Sequence, residues 1–221
     1  TNSDIYIASI NGGAAKNITE SNKGYDVSPS YTSDGKYIIY RSQATGGFEA
    51  DRWRIMRYNR QSGETVELTM GFDLQVDEAI ISADNKTVYF VAAQRGLSPI
   101  FSVPVEPNFK LRIASHVKTL ISEGFNSNLN ITPDGKTFVF ASSSITMPSE
   151  IFTANVQANS KISKLSAGNA ELSSLLKPEE LEWKGALNKT IHGFLVKPAN
   201  FDASKKYPLL VIIHGGPQSA F

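Results

Sequence analysis

The chain of 221 residues contains no cysteine. This absence excludes disulfide bonds, thiolate metal ligands and a cysteine nucleophile within these residues. The three histidines, His116, His192 and His214, lie too far apart in sequence for the short ligand spacings that zinc sites use. We therefore predict no metal site, and nothing in the composition points to a cofactor.

Long apolar runs and an excess of charge of one sign are lacking as well. No run approaches the roughly 18 apolar residues of a membrane-spanning helix. The 22 basic and 21 acidic residues give a formal net charge of +1, which provides no field for binding nucleic acid or an anionic membrane. We therefore expect neither as a partner, and a hydrophobic fraction of 41% indicates an ordinary globular protein.

What the sequence does contain is a repeat of fifty residues. Asp34, Asp84 and Asp134 are equally spaced (84 minus 34 and 134 minus 84), and each is followed by Gly or Asn and then by Lys. Asp-Gly supplies the positive φ angles of a two-residue hairpin turn, and Asn85 tolerates them where Gly is missing. Each turn joins two strand-like runs, and two more such runs follow it, so each unit has four predicted strands.

Four-stranded units of this length are typical of a β-propeller. Runs such as "KYIIYRS" and "KTFVFAS" are apolar on both faces, as expected for a blade packed between two neighbours. Residues 1–172 hold about three and a half blades, and a closed ring typically has four to eight, so we predict an arc of a larger propeller. The alternative is a β-sandwich in which the equal spacing is accidental.

The repeat stops near Leu172, which predicts a second domain at 173–221. There "ELEWKG" and "TIHGFLVKP" indicate a hairpin across "ALNK". The apolar run Leu209–Ile213 predicts a strand buried inside a parallel sheet. These residues are too few to bury an independent core of ordinary size.

The stretch "GFLVKPANFDASKKYPLLVIIHGGPQ" behind a propeller resembles the prolyl oligopeptidase family of serine peptidases, in which a propeller caps an α/β-hydrolase domain. The segments "GGFEADRWRIMRYNRQSGE" and "SSSITMPSEIF" are similar to the branch of dipeptidyl-peptidase V and the acylaminoacyl peptidases. The resemblance implies a mainly β chain, with a partial propeller followed by the first strands of the hydrolase domain. It also implies short peptide substrates and the remainder of the propeller and hydrolase domain as partners, and it favours a periplasmic or secreted location.

The same resemblance places Gly215 and Gly216 at the oxyanion side of the active site, with the Gly216 N–H as the favoured donor. The alternative is that both glycines only form a tight turn. We interpret His214 as structural, because the triad of α/β-hydrolases runs Ser, Asp or Glu, and then His along the chain. No serine occupies a G-x-S-x-G motif in these residues. Residues 1–221 alone are therefore predicted to be inactive.

The loop "ATGGFEADRWR" between the second and third strands of a blade is the other candidate site. Glu49 and Asp51 are carboxylates that could hold the charged amino terminus of a peptide substrate. The alternative is a solvated loop whose acids pair with Arg52 or Arg54. Two further functions stay open, a propeller that serves only for binding and an acylaminoacyl peptidase, whose substrates have no free amine.

Overall fold

The computed structural model describes residues 2–108, 116–169, 176–213 and 215. Three four-stranded antiparallel sheets follow one another along the chain, and the strands of each sheet pair in sequence order. The first blade comprises β3 (Asp26–Tyr31), β4 (Tyr37–Ser42), β5 (Arg54–Asn59) and β6 (Thr65–Glu67). The second comprises β7 (Val76–Ile81), β8 (Thr87–Ala92), β9 (Ile100–Pro104) and β10 (Lys118–Ile121). The third comprises β11 (Phe125–Ile131), β12 (Thr137–Ser144), β13 (Met147–Asn155) and β14 (Ser163–Lys164).

Two pairs of strands flank these blades. The short strands β1 (Tyr6–Ile7) and β2 (Lys16–Asn17) pair before the first blade, and β15 (Glu179–Lys184) pairs with β16 (Thr190–Leu195) after the third. This arrangement confirms the mainly β fold, the four-stranded units and the predicted hairpin. The described part of the chain contains no helix long and apolar enough to cross a membrane.

The repeated aspartates form hairpin turns, but the turn differs from the prediction. The Thr32 N–H donates to the Tyr37 carbonyl (3.0 Å), so four residues form the loop instead of two. Only the third loop residue has a positive φ, 68° at Gly35, 61° at Asn85 and 70° at Gly135. This is the geometry of a type I turn followed by a left-handed residue.

A hydroxyl two residues before each aspartate explains the longer loop. The Thr32 hydroxyl donates to Asp34 Oδ1 (2.6 Å) and accepts the N–H of Tyr37 (2.9 Å), while the Lys36 N–H donates to the same carboxylate oxygen (3.0 Å). Ser82 and Thr132 make the equivalent bonds in the other two blades. The hydrogen bonds lower the pKa of all three aspartates.

The apolar core lies between successive sheets. Tyr37 and Ile55 of the first blade pack with Phe90 and Phe101 of the second. Two further apolar clusters follow the same rule. Residues of β8 and β9 pack against those of β12 and β13. Residues of β4 and β5 pack against the segment around β1 and β2. A fully buried Phe such as Phe90, with no exposed surface, contributes about 1.5–3 kcal/mol relative to an exposed one. Each blade is therefore stabilised mainly by its neighbours.

The strand predicted at Leu209–Ile213 is not formed, which corrects the expectation from sequence. These five side chains are 65–90% exposed, and their backbone has no strand pairing. A strand of a parallel sheet needs partner strands for its N–H and C=O groups. No described segment of the chain supplies such a partner. The boundary proposed near 172 falls among residues outside the described ranges and stays a prediction.

A buried polar position recurs between the first two strands of two blades. Asp26 pairs across the sheet with Ser42, and Asn126, one hundred residues later (126 minus 26), pairs with Ser142. Asp26 is only 3% exposed, and one of its carboxylate oxygens has no hydrogen-bond partner among the described residues. Burial raises its pKa above the ordinary value of 3.8, in spite of a hydrogen bond from Asn22. The first blade thus carries a charge where the third carries an amide.

We predict that Asp26→Asn, which makes the first blade resemble the third, raises the free energy of unfolding at neutral pH by roughly 1 kcal/mol. A carboxyl whose folded pKa is raised loses its stabilising contribution as pH rises through the folded pKa, and an amide does not titrate. Urea denaturation from about pH 4 to pH 7 should therefore give a flatter stability profile for the variant. Parallel profiles for the two proteins would show that Asp26 does not titrate as described.

Candidate functional site

The loop at 44–53 connects β4 to β5, between the second and third strands of the first blade, as predicted from the sequence. Asp51 organises this loop. Its Oδ2 accepts the N–H groups of Ala44 (2.8 Å) and Thr45 (2.7 Å), and its Oδ1 accepts the N–H of Arg52 (2.8 Å). Burial alone would raise the pKa of Asp51, but these three hydrogen bonds outweigh it and the pKa is lowered. The carboxylate therefore stays ionised and fixes the loop backbone.

A second residue that holds the loop gave no signal in the sequence. Gln43 is 2% exposed, and its side-chain amide donates to the carbonyls of Glu49 (3.2 Å) and Asp51 (2.7 Å). A glutamine at the end of a strand is common, so only the structure reveals that Gln43 holds the backbone of the candidate loop. Together with Asp51, it holds the backbone on which Glu49 is presented.

Glu49 itself is exposed. Its carboxylate makes no hydrogen bond or ion pair with the described part of the chain, while its backbone carbonyl accepts from Gln43. The alternative in which the loop acids pair with neighbouring arginines does not describe this geometry. Arg52 (2.7 Å) and Arg54 (3.3 Å) both pair with Glu67 instead. Glu49 is thus a carboxylate on a well-supported loop that is accessible to a ligand.

The predicted oxyanion residues fall at the limit of the described chain. Gly215 is exposed, and a Cβ atom added to it would meet no described heavy atom within 4 Å. Gly216 and His214 lie outside the described residues. The assignment of Gly215 and Gly216 to the oxyanion side therefore stays a prediction. In the described residues, no group of three or more His, Asp or Glu side chains is placed to hold a metal ion.

A cavity of about 150 Å³ lies between β3 and β4 of the first blade and β7 of the second, and it was not anticipated from the sequence. Its polar lining includes Arg41, Asp77 and Glu78. The Arg41 guanidinium donates to the carbonyls of Val76 (3.2 Å) and Asp77 and lies over the Trp53 ring (5.3 Å). Burial raises the pKa of both Asp77 and Glu78. These acids are desolvated without a direct ion pair to Arg41.

A comparison of equivalent positions in the repeat could have identified Glu78 from the sequence. Ser28, Glu78 and Asn128 are fifty residues apart (78 minus 28 and 128 minus 78), and only the second blade carries an acid there. Charged residues are rarely found partly buried without a reason. In the structure, the Glu78 carboxylate accepts the N–H of Leu129 (3.1 Å) on the third blade. Glu78 therefore joins β7 of the second blade to β11 of the third.

The chain is similar to curated proteins and to solved structures. No protein-family model matches the chain. The chain is 28% identical to dipeptidyl-peptidase 5 of Porphyromonas gingivalis and 32% identical to that of Porphyromonas endodontalis, in each case over 99% of the chain. It spans 31% of the length of each of these relatives.

A solved structure shares the fold. The acylaminoacyl peptidase of Pyrococcus horikoshii superposes with a TM-score of 0.65 and 16% identity, covering 88% of this chain and 28% of that one. The dipeptidyl-peptidase 5 relatives match almost the whole chain, and the arc of four-stranded blades matches the fold of a peptidase. These similarities support the assignment of the chain to the prolyl oligopeptidase family of serine peptidases.

Proposed function

We propose that the protein containing this chain is a serine exopeptidase that releases dipeptides from the amino termini of short peptides. The observation that carries this proposal is the similarity over 99% of the chain to proteins named dipeptidyl-peptidase 5. Because the chain spans 31% of their length, the activity is proposed for the whole protein. In this proposal residues 1–172 contribute propeller blades, and 173–221 form the edge of the hydrolase domain.

The chemistry assigned to the chain has two parts. Attack of a nucleophile on a peptide carbonyl places negative charge on its oxygen, and backbone N–H groups aimed at that oxygen stabilise the transition state. We assign this role to Gly215 and Gly216, where the lack of a side chain lets the backbone approach the substrate. The Ser, Asp and His of the triad are assigned to residues of the protein beyond 1–221.

The second part is recognition of the substrate's amino terminus. An exopeptidase of this type must bind the free ammonium group at a fixed distance from the catalytic site. That distance spans two residues, roughly 7 Å in an extended peptide. We assign the ammonium to Glu49, whose carboxylate is accessible, with Asp51 holding the loop that presents it. The support is that Asp51 and Gln43 fix the loop backbone, so the position of Glu49 does not depend on the substrate. The propeller is further proposed to gate access of peptides to the site.

A first prediction concerns activity. Residues 1–221 expressed alone should not cleave dipeptidyl substrates, because the chain has no triad serine in a G-x-S-x-G motif. The full-length protein should cleave them and should lose activity to a serine-directed phosphonate. Phosphonate-sensitive turnover by residues 1–221 would contradict the assignment. Full-length protein that binds peptides without cleaving them would support a propeller used only for binding.

A second prediction tests Glu49 in the full-length protein. If its carboxylate holds the substrate's ammonium, Glu49→Gln should lower kcat/KM on a free-amino dipeptidyl substrate by more than about tenfold, which corresponds to about 1.4 kcal/mol. The N-acylated form of the same substrate should be hardly affected. Glu20→Gln is the matched control, since Glu20 is an exposed acid on another loop.

The comparison between substrates decides the outcome. Equal losses on the free and acylated substrates would indicate a folding defect in the variant. No loss on either would show that Glu49 is a solvated loop acid and that another group binds the amine. A preference of the wild-type protein for the acylated substrate would identify it as an acylaminoacyl peptidase.

A further inference from the structure

The turn that joins β8 to β9 in the second blade has an unusual residue at its centre. Gln94 and Leu97 exchange both backbone hydrogen bonds (2.8 and 3.0 Å), and the two residues between them have positive φ, 53° at Arg95 and 76° at Gly96. This is the geometry of a type I′ turn, in which both central positions favour Gly, Asn or Asp. An arginine in the left-handed region is disfavoured, so its side chain is expected to compensate through a specific contact.

Both central residues of this turn contact the β15–β16 hairpin. The Arg95 guanidinium pairs with the carboxylates of Glu180 (3.3 Å) and Glu182 on β15. Gly96 lies against Phe194 on β16, and a Cβ atom there would come within 2.7 Å of the Phe194 ring. The charge at Arg95 and the missing side chain at Gly96 therefore serve one contact.

The hairpin presents a single matching face to the turn. Glu180 pairs across the hairpin with Phe194, and Glu182 pairs with His192, so all four side chains lie on one face of the two strands. The His192 ring stands edge-on to Phe194 (5.0 Å between ring centres), and its Nε2 lies 2.6 Å from Glu180 Oε1. The hairpin thus has a charged rim around one aromatic side chain.

This contact differs in character from those between blades. Successive blades bury large apolar clusters, whereas the Arg95, Glu180 and Glu182 side chains are 57%, 52% and 48% exposed. Exposed ion pairs stabilise a contact only weakly and are screened by salt. A contact of this kind orients the hairpin against the second blade and still allows the two to separate.

We propose that the 94–97 turn and the Glu180, Glu182 and Phe194 face of the hairpin form an ionic clasp that holds the hairpin against the second blade and opens reversibly. Opening moves the segment that follows the hairpin away from the blades. If the protein is the peptidase proposed above, opening of the clasp would admit peptides to the site, and this consequence rests on the proposed function. The existence of the clasp does not rest on it.

The test measures the distance between the hairpin and the blade by pulsed electron paramagnetic resonance in the full-length protein. Residues 1–221 contain no cysteine, so spin labels are introduced at Lys118→Cys on the second blade and Leu187→Cys at the hairpin tip, and any cysteine elsewhere is replaced. Both positions are exposed. We expect one dominant short distance at low salt, with a longer population growing between about 0.05 and 0.5 M salt.

Arg95→Asn removes the guanidinium and keeps a residue suited to the left-handed turn. It should raise the open fraction about two- to tenfold at low salt and abolish most of its salt dependence. Arg60→Asn removes an exposed arginine from the first blade and should leave the distances unchanged. The charge exchange Arg95→Glu with Glu182→Arg should restore the closed population that Arg95→Glu alone loses.

Identical distance distributions for the wild type and Arg95→Asn at both salt concentrations would overturn the clasp, and so would a failure of the charge exchange to restore closure. Activity assays separate this outcome from the proposed function. Cleavage of dipeptidyl substrates with unchanged distances leaves the function standing without the clasp. Arg95-dependent distances in a protein without peptidase activity leave the clasp standing without the function.

Discussion

The burial of apolar side chains between successive sheets is the constraint on which the rest of this structure depends. Each blade has apolar residues on both faces, so it cannot cover its own surface and needs a neighbour on each side. Phe90 and Phe101 of the second blade, for example, pack against the first. This requirement fixes the blades as an arc and places their loops at defined positions along it. The loops then vary without disturbing the core.

The candidate site lies on one of these loops. The shape of the 44–53 loop depends on Gln43, buried just after β4, and on Asp51, which accepts backbone N–H groups. The blade therefore holds this loop in a defined position, as is common for binding loops on β scaffolds. The exposed carboxylate of Glu49 stands on this support. Arg95 lies on the equivalent connection of the second blade, the tight turn between β8 and β9.

The parts of the fold that follow from local rules could be predicted from sequence. The spacing of Asp34, Asp84 and Asp134 identified the blades, and the apolar runs identified the strands that bury both faces. The turn type was wrong, because the hydroxyls of Thr32, Ser82 and Thr132 extend each loop through side-chain hydrogen bonds that residue type alone does not specify. The strand at Leu209–Ile213 was also wrong for the described structure, since a parallel strand depends on partners that are distant in sequence.

The candidate site was less predictable for a related reason. Glu49 and Asp51 were recognised together as loop acids, but their different roles depend on which backbone N–H groups the loop brings within reach of Asp51. Gln43 gave no signal, and the Glu78 position stands out only against Ser28 and Asn128 in the neighbouring repeats. Long-range contacts such as those of Arg95 with the hairpin join residues 85 and 87 positions apart (180 minus 95 and 182 minus 95), and no local pattern encodes them.

The central claim is that a loop held by the first blade binds the amino terminus of a peptide whose scissile carbonyl meets the backbone of Gly215 and Gly216. A crystal structure of the full-length protein with a bound dipeptide tests it most directly. The account predicts the dipeptide's ammonium within hydrogen-bonding distance of the Glu49 carboxylate, roughly 2.7–3.2 Å, and its carboxylate near the Gly215 and Gly216 N–H groups. A dipeptide bound with its ammonium on other residues, and Glu49 facing solvent, would contradict it.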